Sequence, residues 1–228
     1  MIKSKKIALI YRCFALIIAI TGLLDLLGVF QGEFHHYVLY YYTSQSNIMG
    51  IILFTLLLIK TISGIRESSK SNDSISSKNT ACYFPRFSMV CSINILLTLV
   101  VFWVLLVPQL QGIIPLWTYS NLATHAFTPL LCLIDYILFS EPRRLKYRDV
   151  YYVMIFPLCY LIYSSVAGLM GLVYAISEAD GLPIRFPYFF FDFDRIGALS
   201  FVYITCLLIF FLIIGHIFYY IDKKRKEI

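Results

Sequence analysis

Charged residues are scarce in this sequence: lysine, arginine, aspartate and glutamate supply 14% of the 228 residues, whereas 60% are hydrophobic. The polar segments between the hydrophobic runs are too short for a large soluble domain. The six cysteines include no CxxC spacing, and no histidines, cysteines and carboxylates cluster at metal-ligand spacing. The sequence therefore predicts neither a metal site, a disulfide nor a bound cofactor.

Long apolar runs are abundant, and they determine the predicted fold. A membrane-spanning helix needs about 20 mainly apolar residues. Six runs qualify, namely 7–30, 38–62, 87–107, 120–139, 150–176 and 196–221. We therefore expect an all-α integral membrane protein in which residues 1–228 form a single bundle of six transmembrane helices.

The positions of the basic residues predict the orientation of the bundle. All but Arg185 and Arg195 of the 19 lysines and arginines fall near the termini or around the loops after the second and fourth runs. Cytoplasmic loops are enriched in these residues, so both termini are expected in the cytoplasm, in a multi-pass protein of the cell membrane. The net charge of +6 then reports topology and does not indicate a nucleic-acid partner. The serine-rich stretch at about 63–81 reads as a flexible cytoplasmic loop.

Polar side chains concentrate where the second and fourth runs enter from the outer side. In the segment YYYTSQSN, residues 40–47, five polar residues precede an apolar stretch, and Thr43, Asn47 and Gly50 share one helical face. A second stripe runs along one face of the fourth run and consists of Asn121, His125, Thr128, Cys132 and Asp135. Hydrogen bonds between helices are the ordinary role of Ser, Thr or Asn in a span, but an intramembrane histidine or carboxylate is a functional candidate.

Three motifs resemble the androgen-induced-protein family of multipass membrane hydrolases, and especially its prokaryotic six-pass relatives. They are the TSQSN start of the second run, the segment THAFTPLLCLID at 124–135, and FPYFFFDFDRIG before the last run. The resemblance implies a threonine nucleophile assisted by a histidine, acting on fatty-acid esters of hydroxy fatty acids or related acyl esters. It assigns these roles to Thr43 and His125. The animal members are more apolar after the threonine, so the substrate class stays open, and Ser44 and Ser46 remain rival nucleophiles.

The chemistry agrees with this assignment, because a hydroxyl attacks an ester only when a nearby base takes its proton, and histidine suits that task. The first turn of the second helix would offer free N–H groups to the developing oxyanion. Further side chains that we expect to bind substrate or oxyanion are Gln45, Ser46, Asn47, Asn121 and Asp25. The predicted activity is that of a carboxylic ester hydrolase whose partners are a lipid or acyl-ester substrate and the bilayer.

Two other classes of function remain open at this point. A proton-coupled transporter would use Asp25 and His125 as an outer gate and Asp135, Asn94 and His216 as an inner one. The other class is an assembly factor without catalytic turnover, which would need neither gate. A hydrolase requires one blind cavity, whereas a carrier requires access from both sides. The sequence leaves the oligomeric state undetermined.

Overall fold

The computed structural model describes residues 1–70, 81–112, 115–177 and 180–225, and within them six helices are long and apolar enough to cross a membrane. The helices are α1 Lys5–Leu26, α2 Tyr42–Lys70, α3 Pro85–Leu110, α4 Tyr119–Phe139, α5 Tyr147–Leu169 and α6 Leu199–Lys224. This confirms the number and approximate positions of the six membrane-length helices. We call the end that holds both termini the lower end and the opposite end the upper end.

The boundaries of α2 differ from the expected run in two respects. A 3-10 segment, His36–Tyr40, and the extended residue Tyr41 precede the helix, so Thr43 lies in the first turn of α2 and not deeper in it. At the other end the helix continues through Lys70, so residues 63–70, expected in a flexible loop, are helical. The rest of that expected loop, residues 71–80, lies outside the described residues.

The connection between α5 and α6 folds over the upper end of the bundle. Its elements are the two-stranded antiparallel hairpin of β1 Ala175–Ile176 and β2 Pro183–Ile184, the 3-10 segment Phe189–Phe191 and the short helix Phe193–Ile196. Phe186 and Phe190 of this connection are buried. A Cβ atom at Gly168 would lie 2.8 Å from the Arg185 carbonyl oxygen, so glycine allows this connection to approach α5 closely.

Among the described residues, two larger clusters of apolar side chains and a small third cluster around Phe139 form the core. One of the two larger clusters joins α3, α5 and α6 through residues such as Ile93, Leu97 and Phe211, and the other packs α2 against α3 and α4. A Cβ atom at Gly50 would lie within van der Waals distance of Thr128 and Cys132 on α4. The polar faces predicted for the second and fourth helices therefore face each other.

A buried ion pair ties the lower half of the bundle together. The guanidinium group of Arg12 is 1% exposed and donates from Nε to Oδ1 of Asp135 at 2.8 Å. It also donates to the Thr61 hydroxyl at 2.6 Å and to the Ala81 carbonyl oxygen at 2.9 Å. Arg12 thus joins α1, α2, α4 and the segment before α3. From the sequence, Arg12 was counted among the basic residues near the N-terminus. It lies inside the bundle instead, because the buried carboxylate of Asp135, which is 2% exposed, requires a cation.

The three residues assigned to an inner gate do not assemble into a group. Asp135 is paired with Arg12. Asn94 instead accepts a hydrogen bond from the Tyr42 hydroxyl at 2.9 Å, and the Nδ1 atom of His216 lies 2.7 Å from the carbonyl oxygen of Leu212 on its own helix. Each of these side chains therefore has a separate local partner.

We expect Asp135→Asn to lower the free energy of unfolding by about 3–5 kcal/mol, because the buried Arg12 charge would lose its counter-ion. The double variant Arg12→Leu, Asp135→Leu should be less destabilised, since it removes both charges. Thermal unfolding in detergent micelles measures the difference.

The exposed pair of Arg185 and Asp194 provides a matched control, in which Asp194→Asn should cost at most about 1 kcal/mol. Equal destabilisation by Asp135→Asn and Asp194→Asn would show that the buried pair does not hold the lower half together.

Candidate active site

The side chains of Thr43 and His125 meet between α2 and α4 near the upper end. Thr43 Oγ1 lies 3.2 Å from His125 Nε2, at the outer limit of the range expected for a nucleophile and its base. Thr43 is 8% exposed and His125 is 6% exposed. The residues that sequence analysis assigned as nucleophile and base are therefore in direct contact inside the protein.

The hydrogen bonds of the second ring nitrogen select the tautomer of His125. Its Nδ1 atom lies 3.2 Å from the carbonyl oxygen of Asn121 and 3.1 Å from the hydroxyl of Thr124. A carbonyl oxygen can only accept, and the Thr124 hydroxyl already donates to the carbonyl oxygen of Ser120. Nδ1 must therefore carry the proton, which leaves Nε2 as an acceptor for the Thr43 hydroxyl.

A proline four residues after the histidine shapes the helix at this point. Proline has no N–H, so Pro129 cannot donate to the carbonyl oxygen of His125. The Ala123–Phe127 segment opens into a π-helical turn, and the indole N–H of Trp103 donates to the His125 carbonyl oxygen at 3.1 Å. Such turns are frequent at functional sites. The sequence signal for this irregular turn is the proline four residues after His125 in the segment THAFTPLLCLID.

The neighbouring helices hold the imidazole ring in place. Phe102 stacks on His125 with ring centroids 3.7 Å apart, and it lies in a second π-helical turn, Val101–Leu106, just before Pro108. A Cβ atom at Gly22 on α1 would overlap the side chain of Ala123, which is two residues before His125 on α4. Glycine therefore lets α1 approach α4 beside the histidine, and the ring is confined by packing as well as by hydrogen bonds.

Two cavities meet at Thr43. The narrow cavity has a volume of about 60 Å³ and lies between the start of α2 and helices α3, α5 and α6. The wide cavity has a volume of about 410 Å³, lies at the upper end, and is lined by His125, Ser44 and Asn121 among others. Four residues line both cavities, namely Thr43, Phe102, Leu106 and Tyr188. A molecule bound at Thr43 therefore has space on two sides.

The five polar residues at the start of α2 have different environments. Thr43 and Ser44 line the wide cavity, and the Ser44 hydroxyl is buried with no hydrogen-bond partner among the described residues. Gln45, Ser46 and Asn47 line neither cavity. Of the five polar residues, only Thr43 and Ser44 therefore line these cavities.

The side chains of these three residues bind backbone or neighbouring hydroxyl groups instead. Gln45 donates to the carbonyl oxygen of Leu39 at 3.3 Å, and the Ser46 hydroxyl lies 2.8 Å from that of Thr98. Asn47 donates to the carbonyl oxygens of Thr43 and Thr124. The contact with Thr124 is the most relevant to the site, because it fixes the turn of α2 that carries Thr43 against the turn of α4 that carries His125.

Two other predicted site residues have different environments from those expected. The side-chain amide of Asn121 donates to the carbonyl oxygen of Pro115. It is the backbone carbonyl oxygen of Asn121 that contacts His125. Asp25 accepts a hydrogen bond from the Gln31 side chain at 2.8 Å and lines neither cavity. Asp25 and His125 therefore have separate hydrogen-bond partners.

Sequence analysis did not include Tyr188 among the candidate site residues. Together with Thr43, it lines both the narrow and the wide cavity. Burial raises the pKa of Tyr188 to about 12, and hydrogen bonding with Thr43 partly offsets that rise. The residue therefore stays protonated near neutral pH. Only the folding of the α5–α6 connection over the bundle brings it here.

The arrangement provides a hydroxyl, an oriented imidazole with a free acceptor nitrogen, and space on both sides of the hydroxyl. Among the described residues, no group of three or more His, Cys, Asp or Glu side chains is placed to hold a metal ion. The contact between the Thr43 hydroxyl and the His125 imidazole allows proton transfer coupled to nucleophilic attack. No family model, curated protein or solved structure matches this chain.

Proposed function

We propose that the protein is an integral membrane hydrolase of lipid or acyl esters, with Thr43 as nucleophile and His125 as general base. The observation that carries the proposal is the 3.2 Å contact between Thr43 Oγ1 and His125 Nε2, with Nδ1 held by the Asn121 carbonyl oxygen. The resemblance to the androgen-induced-protein family assigns the same two residues to the same two roles. It also supports fatty-acid esters of hydroxy fatty acids, or related acyl esters, as substrates.

The first half of the reaction transfers the acyl group to Thr43. His125 Nε2 takes the hydroxyl proton while Thr43 Oγ1 bonds to the ester carbonyl carbon, and the carbonyl oxygen becomes an oxyanion. Helix geometry leaves the first N–H groups of α2 without partners within the helix, so they are available to that oxyanion. When the ester C–O bond breaks, His125 returns the proton to the departing alkoxide, which leaves as an alcohol.

The second half releases the acid and restores the hydroxyl. A water molecule entering the wide cavity gives a proton to His125 Nε2 and attacks the acyl carbon. Collapse of the intermediate breaks the bond to Thr43 Oγ1, which takes the proton back. Threonine suits this cycle because its branched side chain has few rotamers, so the hydroxyl stays directed at the imidazole.

The cavities also favour a hydrolase over a transporter. Both cavities at Thr43 lie in the upper part or the middle of the bundle, and the Arg12–Asp135 pair fills the space between α1, α2 and α4 lower down. The residues assigned to two gates have separate partners. A cavity of about 630 Å³ at the lower end, lined by Arg86, Tyr152 and Phe156 among others, shares no lining residue with the two cavities at Thr43, whereas a carrier would need a connected passage.

For the orientation, we propose that both termini lie in the cytoplasm, which places the site near the outer leaflet. The support is the concentration of lysines and arginines at the lower end, with only Arg185 and Arg195 at the upper end. A reporter that is active only in the cytoplasm should be active when fused to either terminus. If instead only a reporter inserted between Ala175 and Ile184 were active, and the terminal fusions were not, the orientation would be the opposite of the one proposed.

The dyad predicts how substitutions change ester hydrolysis by the purified protein. Thr43→Ala and His125→Ala should each lower turnover by about a hundredfold or more, because each removes one side of the proton transfer. The double variant should be little worse than either single variant, since the two residues act as one unit. Thr43→Ser should retain part of the activity because it keeps the hydroxyl.

Thr55→Ala is the matched control, because its hydroxyl bonds the Ile51 carbonyl oxygen of its own helix and lines neither cavity. Its turnover should stay within about twofold of wild type. Wild-type turnover in Thr43→Ala would remove Thr43 from the mechanism, and full loss in Ser46→Ala with an intact fold would move the nucleophile there.

A further inference from the structure

The two cavities at Thr43 differ in the surface that they offer. In the narrow cavity the hydroxyl groups of Tyr42, Thr98 and Tyr160 are engaged with the protein. Thr98 is bound to Ser46, and the hydroxyl of Tyr160 donates to the carbonyl oxygen of Tyr40. The remaining lining is mostly aliphatic and aromatic. This cavity therefore offers hydrocarbon and few free hydrogen-bonding groups.

The wide cavity differs in both size and chemistry. Its lining includes three residues with polar side chains, namely His125, Asn121 and Gln109. Such side chains favour a ligand that carries a polar group. His125 lines this cavity and not the narrow one.

We propose that the narrow cavity binds the acyl chain of the ester and the wide cavity binds its alcohol part. The inference rests on the proposed function, and the position of His125 carries it. The proton taken from Thr43 must pass to the alkoxide oxygen as the ester bond breaks, so that oxygen must lie within reach of His125 Nε2. The leaving alcohol is therefore on the wide-cavity side, and the acyl chain extends to the opposite side of the carbonyl carbon.

The dimensions of the narrow cavity set the length and shape of the chain. Its lining on α6 runs from Ile204 to Phe211, about 10 Å at the rise of an α-helix. An extended alkyl chain advances about 1.25 Å per carbon, given C–C bonds of about 1.52 Å and angles near 111°. A lining of this length spans about eight carbons. The volume of about 60 Å³ is well below the roughly 150 Å³ that holds a benzene ring, so the space as it stands fits a short unbranched chain of about two to four carbons.

Two side chains form the lower limit of the narrow cavity. Leu97 and Phe211 line it and also line a smaller cavity of about 20 Å³ that extends further down to Ile214. They therefore separate the two spaces. Removing either side chain would join the spaces and lengthen the acyl site by about 4–5 Å, or about three to four carbons.

The test measures hydrolysis of p-nitrophenyl esters of straight-chain acids, from acetate to palmitate, by wild-type protein and by Phe211→Ala. The alcohol part stays constant, so the optimum reports the acyl site alone. We expect a wild-type optimum at short chains of about two to four carbons, and a shift of about three to four carbons to longer chains in Phe211→Ala. Leu97→Ala should shift it in the same direction and serves as a second variant if Phe211→Ala does not fold.

Ile214→Ala is the matched control, since it enlarges only the lower space and should leave the optimum unchanged. Leu110→Trp narrows the wide cavity and should slow esters of bulky alcohols without shifting the acyl optimum. An acyl optimum that moves with Leu110→Trp and not with the Phe211 and Leu97 variants would overturn the assignment of the cavities while Thr43-dependent hydrolysis remained. Absence of Thr43-dependent hydrolysis in wild type would overturn the proposed function, and this inference with it.

Discussion

Polar side chains inside this bundle must find partners on neighbouring helices, because a hydrocarbon environment offers none. Arg12 and Asp135 satisfy that requirement at the lower end, where one guanidinium group contacts three other parts of the chain. Thr43 and His125 satisfy it at the upper end. The first set is fully engaged with protein groups, whereas the second opens onto cavities, so only the second is available to a substrate.

Two prolines adapt the helices to the site. Pro108 and Pro129 each follow a π-helical turn, and these turns carry Phe102 and His125, whose rings stack. A regular helix at this position would pair the His125 carbonyl oxygen within its own ladder. The proline frees that oxygen, and Trp103 on α3 donates to it. A local irregularity of α4 thus becomes a contact between helices that holds the turn carrying His125.

Much of the site could be predicted from sequence because helical periodicity relates residues along a helix to a face. The contact of Thr43 with His125 followed from two polar stripes at matched depth. The position of Tyr188 did not follow, since it depends on how an irregular connection folds over the bundle. Likewise, periodicity could not show that Arg12 turns inward, because a basic residue near an N-terminus is ordinarily exposed. Nor could it show that Gln45 binds a backbone carbonyl oxygen.

Covalent labelling with a fluorophosphonate tests the central claim most directly, because such a probe reports an activated hydroxyl without requiring the natural substrate. The labelled residue is mapped by peptide mass spectrometry on the folded protein in micelles. The account predicts one adduct, on Thr43, that disappears in His125→Ala and persists in Ser46→Ala. An adduct on another hydroxyl, or no adduct at all, would contradict the assignment of Thr43 as a nucleophile activated by His125.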